Sequence, residues 1–203
     1  MMRQAVALHG DVGTLYLGVA QADRMHSDYP AALENLNRAI RLNTPELIAA
    51  YTERAAVYMG LKNDAKALGD CEQIIQLQPQ KPQGYVCKGV VLIDLGKASQ
   101  ALDSFNQAIR MDKSFVSAYG GRAAAEMAIG NYDLALSDLN FAIQAEPLVS
   151  SNYQLRAHVY TTLKNPSAAI DDYEMFMRLQ GGAAANPEIV DDIRRLRAMV
   201  ANV

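Results

Sequence analysis

Apolar residues recur along this chain with the spacing of helices, and no stretch shows the alternation typical of a strand. The apolar runs come in pairs, and short turns such as "LGKAS" and "IGNYD" separate the two members of a pair. Glycine and polar residues favour the end of one helix and the start of another there. Pro79 and Pro147 follow second helices, which a proline cannot continue. The pattern predicts an all-α protein built from helix pairs.

The helix pairs are copies of one unit, because equivalent residues recur at intervals of 34. An earlier copy with Tyr16, Leu36 and Ile40 is offset by 35, since one residue is inserted near Pro45. The recurring columns are tyrosine (Tyr51, Tyr85, Tyr119, Tyr153), basic (Arg54, Lys88, Arg122, Arg156), alanine (Ala67, Ala101, Ala135, Ala169) and bulky residues (Cys71, Phe105, Leu139, Tyr173).

A period of 34 with this order of columns resembles the tetratricopeptide repeat. One copy reads "YVCKGVVLIDLGKASQALDSFNQAIRMD" and the next "YGGRAAAEMAIGNYDLALSDLNFAIQAEP". Tyrosine stands where that family often has tryptophan, and Arg or Lys replaces the usual large apolar residue. The resemblance implies a right-handed superhelical solenoid of helix-turn-helix repeats. Five repeats are predicted, at residues 13–46, 48–81, 82–115, 116–149 and 150–183.

Both ends of the repeat array have segments of their own. Residues 1–12 contain "AVALHG", which resembles the tail of a second helix and predicts a half-repeat or cap. Residues 184–203 end a glycine-containing linker and continue as a helix, with Asn186 as N-cap and Pro187 in its first turn. Its apolar stripe indicates a C-terminal cap, and its mixed charges disfavour a membrane-surface or partner-docking helix. The stripe comprises Ile189, Ile193, Leu196 and Val200.

Composition and charge narrow the class of protein. The net charge of −3 and pI near 5.6 disfavour a nucleic-acid partner. No apolar run is long enough to predict a membrane span, and no secretory signal is predicted. Two cysteines, Cys71 and Cys87, are too few for a disulfide framework and suit a reducing compartment. We expect a cytoplasmic protein or, alternatively, a soluble portion of a larger one.

Catalytic and metal-binding patterns are missing from the sequence. His9, His26 and His158 have no regular spacing to cysteine or carboxylate, and nothing supports a Cys–His pair from Cys71 or Cys87. Neither a Walker A motif nor a dinucleotide-binding glycine motif is present. The sequence therefore predicts no enzyme activity, no cofactor and no metal.

The basic column admits two interpretations. A ladder of positive charge could bind an acidic ligand. However, an aspartate follows three of the four basic residues at a distance of 16, on the second helix of the same repeat. Antiparallel helices bring such positions side by side, which predicts structural ion pairs Arg54–Asp70, Arg122–Asp138 and Arg156–Asp172. Lys88 departs from this pattern because Ser104 stands opposite it.

The resemblance also implies a groove lined by the first helices of the repeats. One branch of the family grips carboxylate tails with a lysine, asparagine and arginine clamp, which this sequence lacks. The first clamp position of the five repeats is occupied by Leu17, Thr52, Val86, Gly120 and Gln154, none of which is lysine. The residue that follows each of these is neither asparagine nor arginine. The predicted peptide-binding residues are Thr52, Glu53, Ala56, Gln83, Val86, Cys87, Val90, Asp94, Ser117, Gly120, Gly121, Ala124, Gln154 and His158.

Small and apolar side chains dominate these positions, which favours an apolar helix or extended segment as ligand. Gly120 and Gly121 cost helix stability, so something must need the space that their missing side chains leave, either a partner or a neighbouring repeat. The predicted function is a non-catalytic protein-binding scaffold or adaptor. Alternatives are a regulatory or substrate-recruiting module of a larger enzyme or assembly, and a self-associating scaffold.

Overall fold

A computed structural model describes residues 12–182 and 186–201 of the chain. In these residues it contains eleven α-helices and no strand, which confirms the all-α prediction. The predicted half-repeat or cap at the N-terminus lies outside the described residues, apart from Val12. The helices are α1 Val12–Met25, α2 Tyr29–Arg41, α3 Leu47–Gly60, α4 Asp64–Leu77, α5 Gln83–Asp94, α6 Ala98–Met111, α7 Val116–Ala128, α8 Tyr132–Ala145, α9 Ser150–Thr162, α10 Pro166–Leu179 and α11 Pro187–Ala201.

Helices α1 to α10 form five successive pairs along the chain, and α1 and α3 each start one residue before the predicted repeats 13–46 and 48–81. The chain divides into two compact units. The N-terminal unit, Met1–Lys97, contains α1 to α5, and the C-terminal unit, Ala98–Val203, contains α6 to α11. The division therefore falls between the two helices of the third repeat.

Turn chemistry explains where the helices begin and end. The side chains of Asp28, Asn63 and Asn165 accept backbone hydrogen bonds in the first turns of α2, α4 and α10. The turn after each first helix needs one residue with positive φ, which terminates the helix. Glycine occupies that place in the third and fourth repeats, whereas lysine occupies it in the second and fifth; these residues are Lys62, Gly96, Gly130 and Lys164.

The core of the N-terminal unit lies between successive helices. Leu36 on α2 and Val57 on α3 are fully buried in one cluster with small residues of α1 and α3. A second cluster joins α3, α4 and α5 through Ala55, Cys71 and Val91. Alanine at the recurring small positions lets the helices approach closely, because it has no side chain beyond Cβ. Each fully buried Leu or Val contributes about 1.5–3 kcal/mol to folding.

The core of the C-terminal unit ends beneath the last helix. Ile193 and Leu196 of α11 are buried against Ala169 and Tyr173 of α10. Burial raises the pKa of the Tyr173 phenol. Val200, which the sequence analysis placed on the same apolar stripe, is instead exposed near the end of the helix. Helix α11 therefore covers the last repeat with its first three turns.

Candidate functional site

An arginine cluster links neighbouring helices in the fourth repeat. The Arg122 guanidinium donates from Nε and Nη2 to the two carboxylate oxygens of Asp138, both at 2.7 Å. Its Nη1 donates to Oδ1 of Asn106, on the second helix of the preceding repeat, at 2.8 Å. The guanidinium carbon also lies 5.4 Å from the centroid of the Tyr119 ring. One side chain thus holds α7 to both α6 and α8.

The second and fifth repeats repeat this geometry. Arg54 and Arg156 each make the same two-pronged contact with aspartate and a third bond to asparagine, the partners being Asp70, Asn37, Asp172 and Asn140. The hydrogen bonds that Arg122 and Arg156 donate to Asp138 and Asp172 raise the pKa of each arginine, although burial opposes the shift. For Arg54, burial lowers the pKa, and Asp70 more than offsets it. Each of these arginines therefore uses its positive charge in a structural ion pair within its own repeat.

The third repeat replaces this cluster with a covalent bond. Lys88 takes the place of arginine and Glu72 that of the preceding asparagine, and no hydrogen bond or ion pair joins them in the described part of the chain. One residue earlier on each helix, Cys71 and Cys87 form a disulfide. The two cysteines, which the sequence suggested would suit a reducing compartment, are thus bonded to each other. Neither the 16-residue separation of the two cysteines nor their flanking sequence marked the pair as bonded.

Side chains of neighbouring helices occupy the space beside Gly120 and Gly121. A Cβ atom added at Gly121 would lie 2.3 Å from Cε1 of Phe105 on α6. A Cβ atom at Gly120 would lie 2.9 Å from Oδ1 of Asn152 on α9. Of the two alternatives left open by the sequence, the structure thus shows packing between repeats at these glycines. Cys87 likewise faces Cys71 and is not free to meet a ligand with its thiol.

The remaining predicted groove residues lie on first helices of the two units, and none of them is buried. We call the surface of the N-terminal unit the α3–α5 surface, and that of the C-terminal unit the α7–α9 surface. The α3–α5 surface comprises Thr52, Glu53, Ala56, Gln83, Val86, Val90 and Asp94. The α7–α9 surface comprises Ser117, Ala124, Gln154 and His158.

The α3–α5 surface combines three apolar residues, Ala56, Val86 and Val90, with two polar and two charged ones. Val90 is 41% exposed, and Val86 one turn earlier is half-buried. Oε2 of Glu53 accepts a 2.7 Å hydrogen bond from Nε of Arg24. Both carboxylate oxygens of Asp94 lie 3.2 Å from Nζ of Lys62. The two acids on this surface therefore already have basic partners within the unit.

The α7–α9 surface is polar, and its four residues include no acid, lysine or arginine. Ser117, Gln154 and His158 are exposed, and Ala124 is half-buried. Further along α9, the exposed Thr161 and Thr162 hydroxyls donate to backbone carbonyls of their own helix. This surface can donate and accept hydrogen bonds, but it offers little apolar area to a ligand.

The sequence analysis missed the asparagines of the arginine clusters and the disulfide. Asn106 and Asn140 recur at the repeat interval, so their column could have been found beside the aspartates.

No group of three or more His, Cys, Asp or Glu residues among the described residues could hold a metal ion. In the same part of the chain, no helix combines the length and apolar character that a membrane crossing needs.

These helix pairs define the class of proteins built from tandem helix-turn-helix repeats. The family model of the tetratricopeptide repeat matches residues 17–82 and 88–148, and the chain belongs to this family. A 63-residue stretch is 41% identical to the "Hsp70-Hsp90 organizing protein" of wheat, Triticum aestivum. That match covers 31% of this chain and 11% of the length of the wheat protein.

Solved structures of other repeat proteins share the fold. TTC0263, a tetratricopeptide repeat protein of Thermus thermophilus, superposes with a TM-score of 0.74 at 18% identity, covering 93% of this chain and 99% of that one. YrrB, described as a tetratricopeptide repeat protein with an unusual peptide-binding site, gives a TM-score of 0.52 at 16% identity and covers 100% of this chain and 98% of its own. These likenesses establish the solenoid fold class.

Proposed function

We propose that this protein is a non-catalytic scaffold or adaptor that binds an apolar helix or extended apolar segment on its α3–α5 surface. The observation that carries the proposal is the exposed Val90, which lies one turn after the half-buried Val86 on α5. Helices α3 and α5 contact one another, which supports a ligand site that spans both helices. Because Val90 is already partly covered, a ligand that buries the rest gains only part of the about 1.5–3 kcal/mol that full burial of such a side chain contributes.

The charges of the same surface favour an uncharged ligand segment. Its two charged residues, Glu53 and Asp94, are both acidic and are both paired with bases. A carboxylate tail would meet negative charge there and find no lysine, asparagine and arginine clamp. The name of the wheat relative refers to Hsp70 and Hsp90, but the missing clamp leads us to propose a different ligand for this chain.

A peptide-display screen on the full chain tests this proposal. Random 12-residue peptides are selected against the immobilised protein, and the selected peptides are measured in solution by fluorescence anisotropy. We expect sequences with two or more large apolar residues. We also expect equal affinity for the free-acid and amidated forms of each peptide, because no clamp reads the terminal carboxylate.

Val90→Asp is the decisive variant and Leu77→Asp its matched control. Both residues are exposed aliphatic side chains of the N-terminal unit, but Leu77 ends a second helix, α4. We expect Val90→Asp to weaken peptide binding at least about tenfold, the equivalent of 1.4 kcal/mol, and Leu77→Asp to leave it unchanged. Equal affinities for wild type and Val90→Asp would refute the site.

The proposal keeps the predicted cytoplasmic location, which cell fractionation would test.

A further inference from the structure

The step from the second to the third repeat is the one place where the hydrogen-bonded arginine cluster gives way to a redox-sensitive link. At the other described steps, an arginine donates to an asparagine of the preceding second helix. At this step, Lys88 and Glu72 occupy those columns without bonding, and the Cys71–Cys87 disulfide joins α4 to α5. The Cα atoms of the two cysteines are 5.4 Å apart, within the usual range for a disulfide.

Equivalent positions at later steps are joined only by packing. Gly121, equivalent to Cys87, receives the Phe105 ring, and Leu155 packs on Leu139 at the next step. Each of these pairs fills the same space between a second helix and the following first helix. Only the cysteine pair can be made or broken by electron transfer, so the attachment of α5 depends on redox state.

The two cysteine residues differ in exposure. Cys71 is fully buried in the cluster with Ala67 and Val91, whereas Cys87 is half-buried. An attacking thiolate needs access to one sulfur of the bond. The Cys87 sulfur is therefore the point of attack, and Cys71 is the leaving thiolate.

We propose that the Cys71–Cys87 pair is a redox modification site at which a dithiol reductant opens the bond and loosens α5 from α4. One thiolate of the reductant attacks Sγ of Cys87, the sulfur–sulfur bond breaks, and Cys71 departs with the electron pair. The second thiolate of the reductant then closes its own disulfide and releases Cys87. The protein gains two electrons, the reductant loses two, and the reductant's two thiol protons pass to Cys71 and Cys87.

Two contacts keep α5 attached after reduction. Val91 remains buried in the cluster of α3 and α4, and the close approach of Gly84 to the backbone of Ile75 needs no disulfide. Reduction is thus expected to open α5 locally while the rest of the unit stays folded. The chain contains just these two cysteines, so its thiol chemistry reports on this one bond.

Thiol titration and melting of the full chain test the proposal, with dithiothreitol as the dithiol. Protein equilibrated with oxidised dithiothreitol and then denatured should show no free thiol, and two after reduction. The melting temperature should fall on reduction by about 6–12 °C, the loss expected for a link closing a loop of this size in a chain of about 200 residues. Amide exchange in α5 should rise at least about tenfold on reduction.

The double variant Cys71→Ala/Cys87→Ala is the matched control. Cys87→Ser, which keeps the buried Cys71 thiol, is a second control. Both variants should show the same melting temperature and α5 exchange with and without dithiothreitol. Two free thiols in the oxidised wild-type protein would overturn the proposal. A wild-type melting temperature and α5 exchange that ignore reduction would overturn it equally.

Discussion

At the scale of single residues, the arginines hold the repeats together. Arg122 satisfies both oxygens of a buried aspartate and reaches a third helix, so its positive charge is not available to an acidic ligand. The pairing of Arg and Asp across a helix hairpin follows from their 16-residue spacing and could be inferred from sequence. The disulfide could not, because two cysteines at the same spacing are equally compatible with free core thiols.

Arg122→Ala should lower the free energy of unfolding by about 2–4 kcal/mol, because it leaves the buried Asp138 carboxylate without its charged partner. Urea denaturation followed by circular dichroism measures the loss. Arg194→Ala is the control, since its pair with Asp191 is exposed and should contribute less than about 0.5 kcal/mol. Similar losses in the two variants would show that the cluster has no special role.

The glycines of α7 make a second residue-scale prediction. Gly121→Ala should cost about 1–3 kcal/mol of stability because the new methyl group collides with the Phe105 ring. Gly18→Ala on α1 should instead stabilise the protein by about 0.5–1 kcal/mol, since nothing lies within 4 Å of the added atom. Thermal melting of both variants gives the comparison. A tolerated Gly121→Ala would mean that the space beside it is open.

At the scale of elements, the hydrophobic pattern predicted the all-α fold that the described residues show. Periodicity succeeds there because each helix buries one stripe against its neighbours, so fold and pattern have the same cause. The groove was harder to read, since first helices both line a surface and pack on the next repeat. Only the structure distinguishes Val90, which is exposed, from Gly121, which is in contact with Phe105.

The turn after each first helix offers an element-scale test. Lys164 has φ of 57°, a left-handed conformation that a side chain disfavours, while Gly130 holds the same repeat position one copy earlier. Lys164→Gly should therefore raise the free energy of unfolding by about 0.5–1 kcal/mol, the relief of strain exceeding the added freedom of the unfolded chain.

Gly130→Lys is the reciprocal change and should lower stability by a similar amount, as measured by urea denaturation. Lys62 is less suitable, because its ion pair with Asp94 would be lost with the side chain. A decrease in stability on Lys164→Gly would show that the lysine makes a favourable contribution elsewhere.

At the scale of the whole molecule, the repeat architecture must end without exposing its core. A repeat contacts only its neighbours, so the last one needs a cover with a polar outer face. Helix α11 provides it: Ile193 and Leu196 point into the cluster with Tyr173, while its arginines and acids are on the exposed side. Without this cover, the apolar end of the last repeat could bind a second copy of the chain. Helix α11 should therefore prevent self-association at this end.

Ile193→Asp/Leu196→Asp should release this cover, because two carboxylates cannot be buried in an apolar cluster without partners. The melting temperature should fall, and light scattering over a concentration series should show association that the wild type lacks at equal concentrations. Met199→Asp/Val200→Asp is the matched control, since both residues are exposed on the same helix. If both double variants behave like the wild type, α11 is not the element that keeps the end of the array from pairing. If both associate, added charge on this helix and not loss of the cover is the cause.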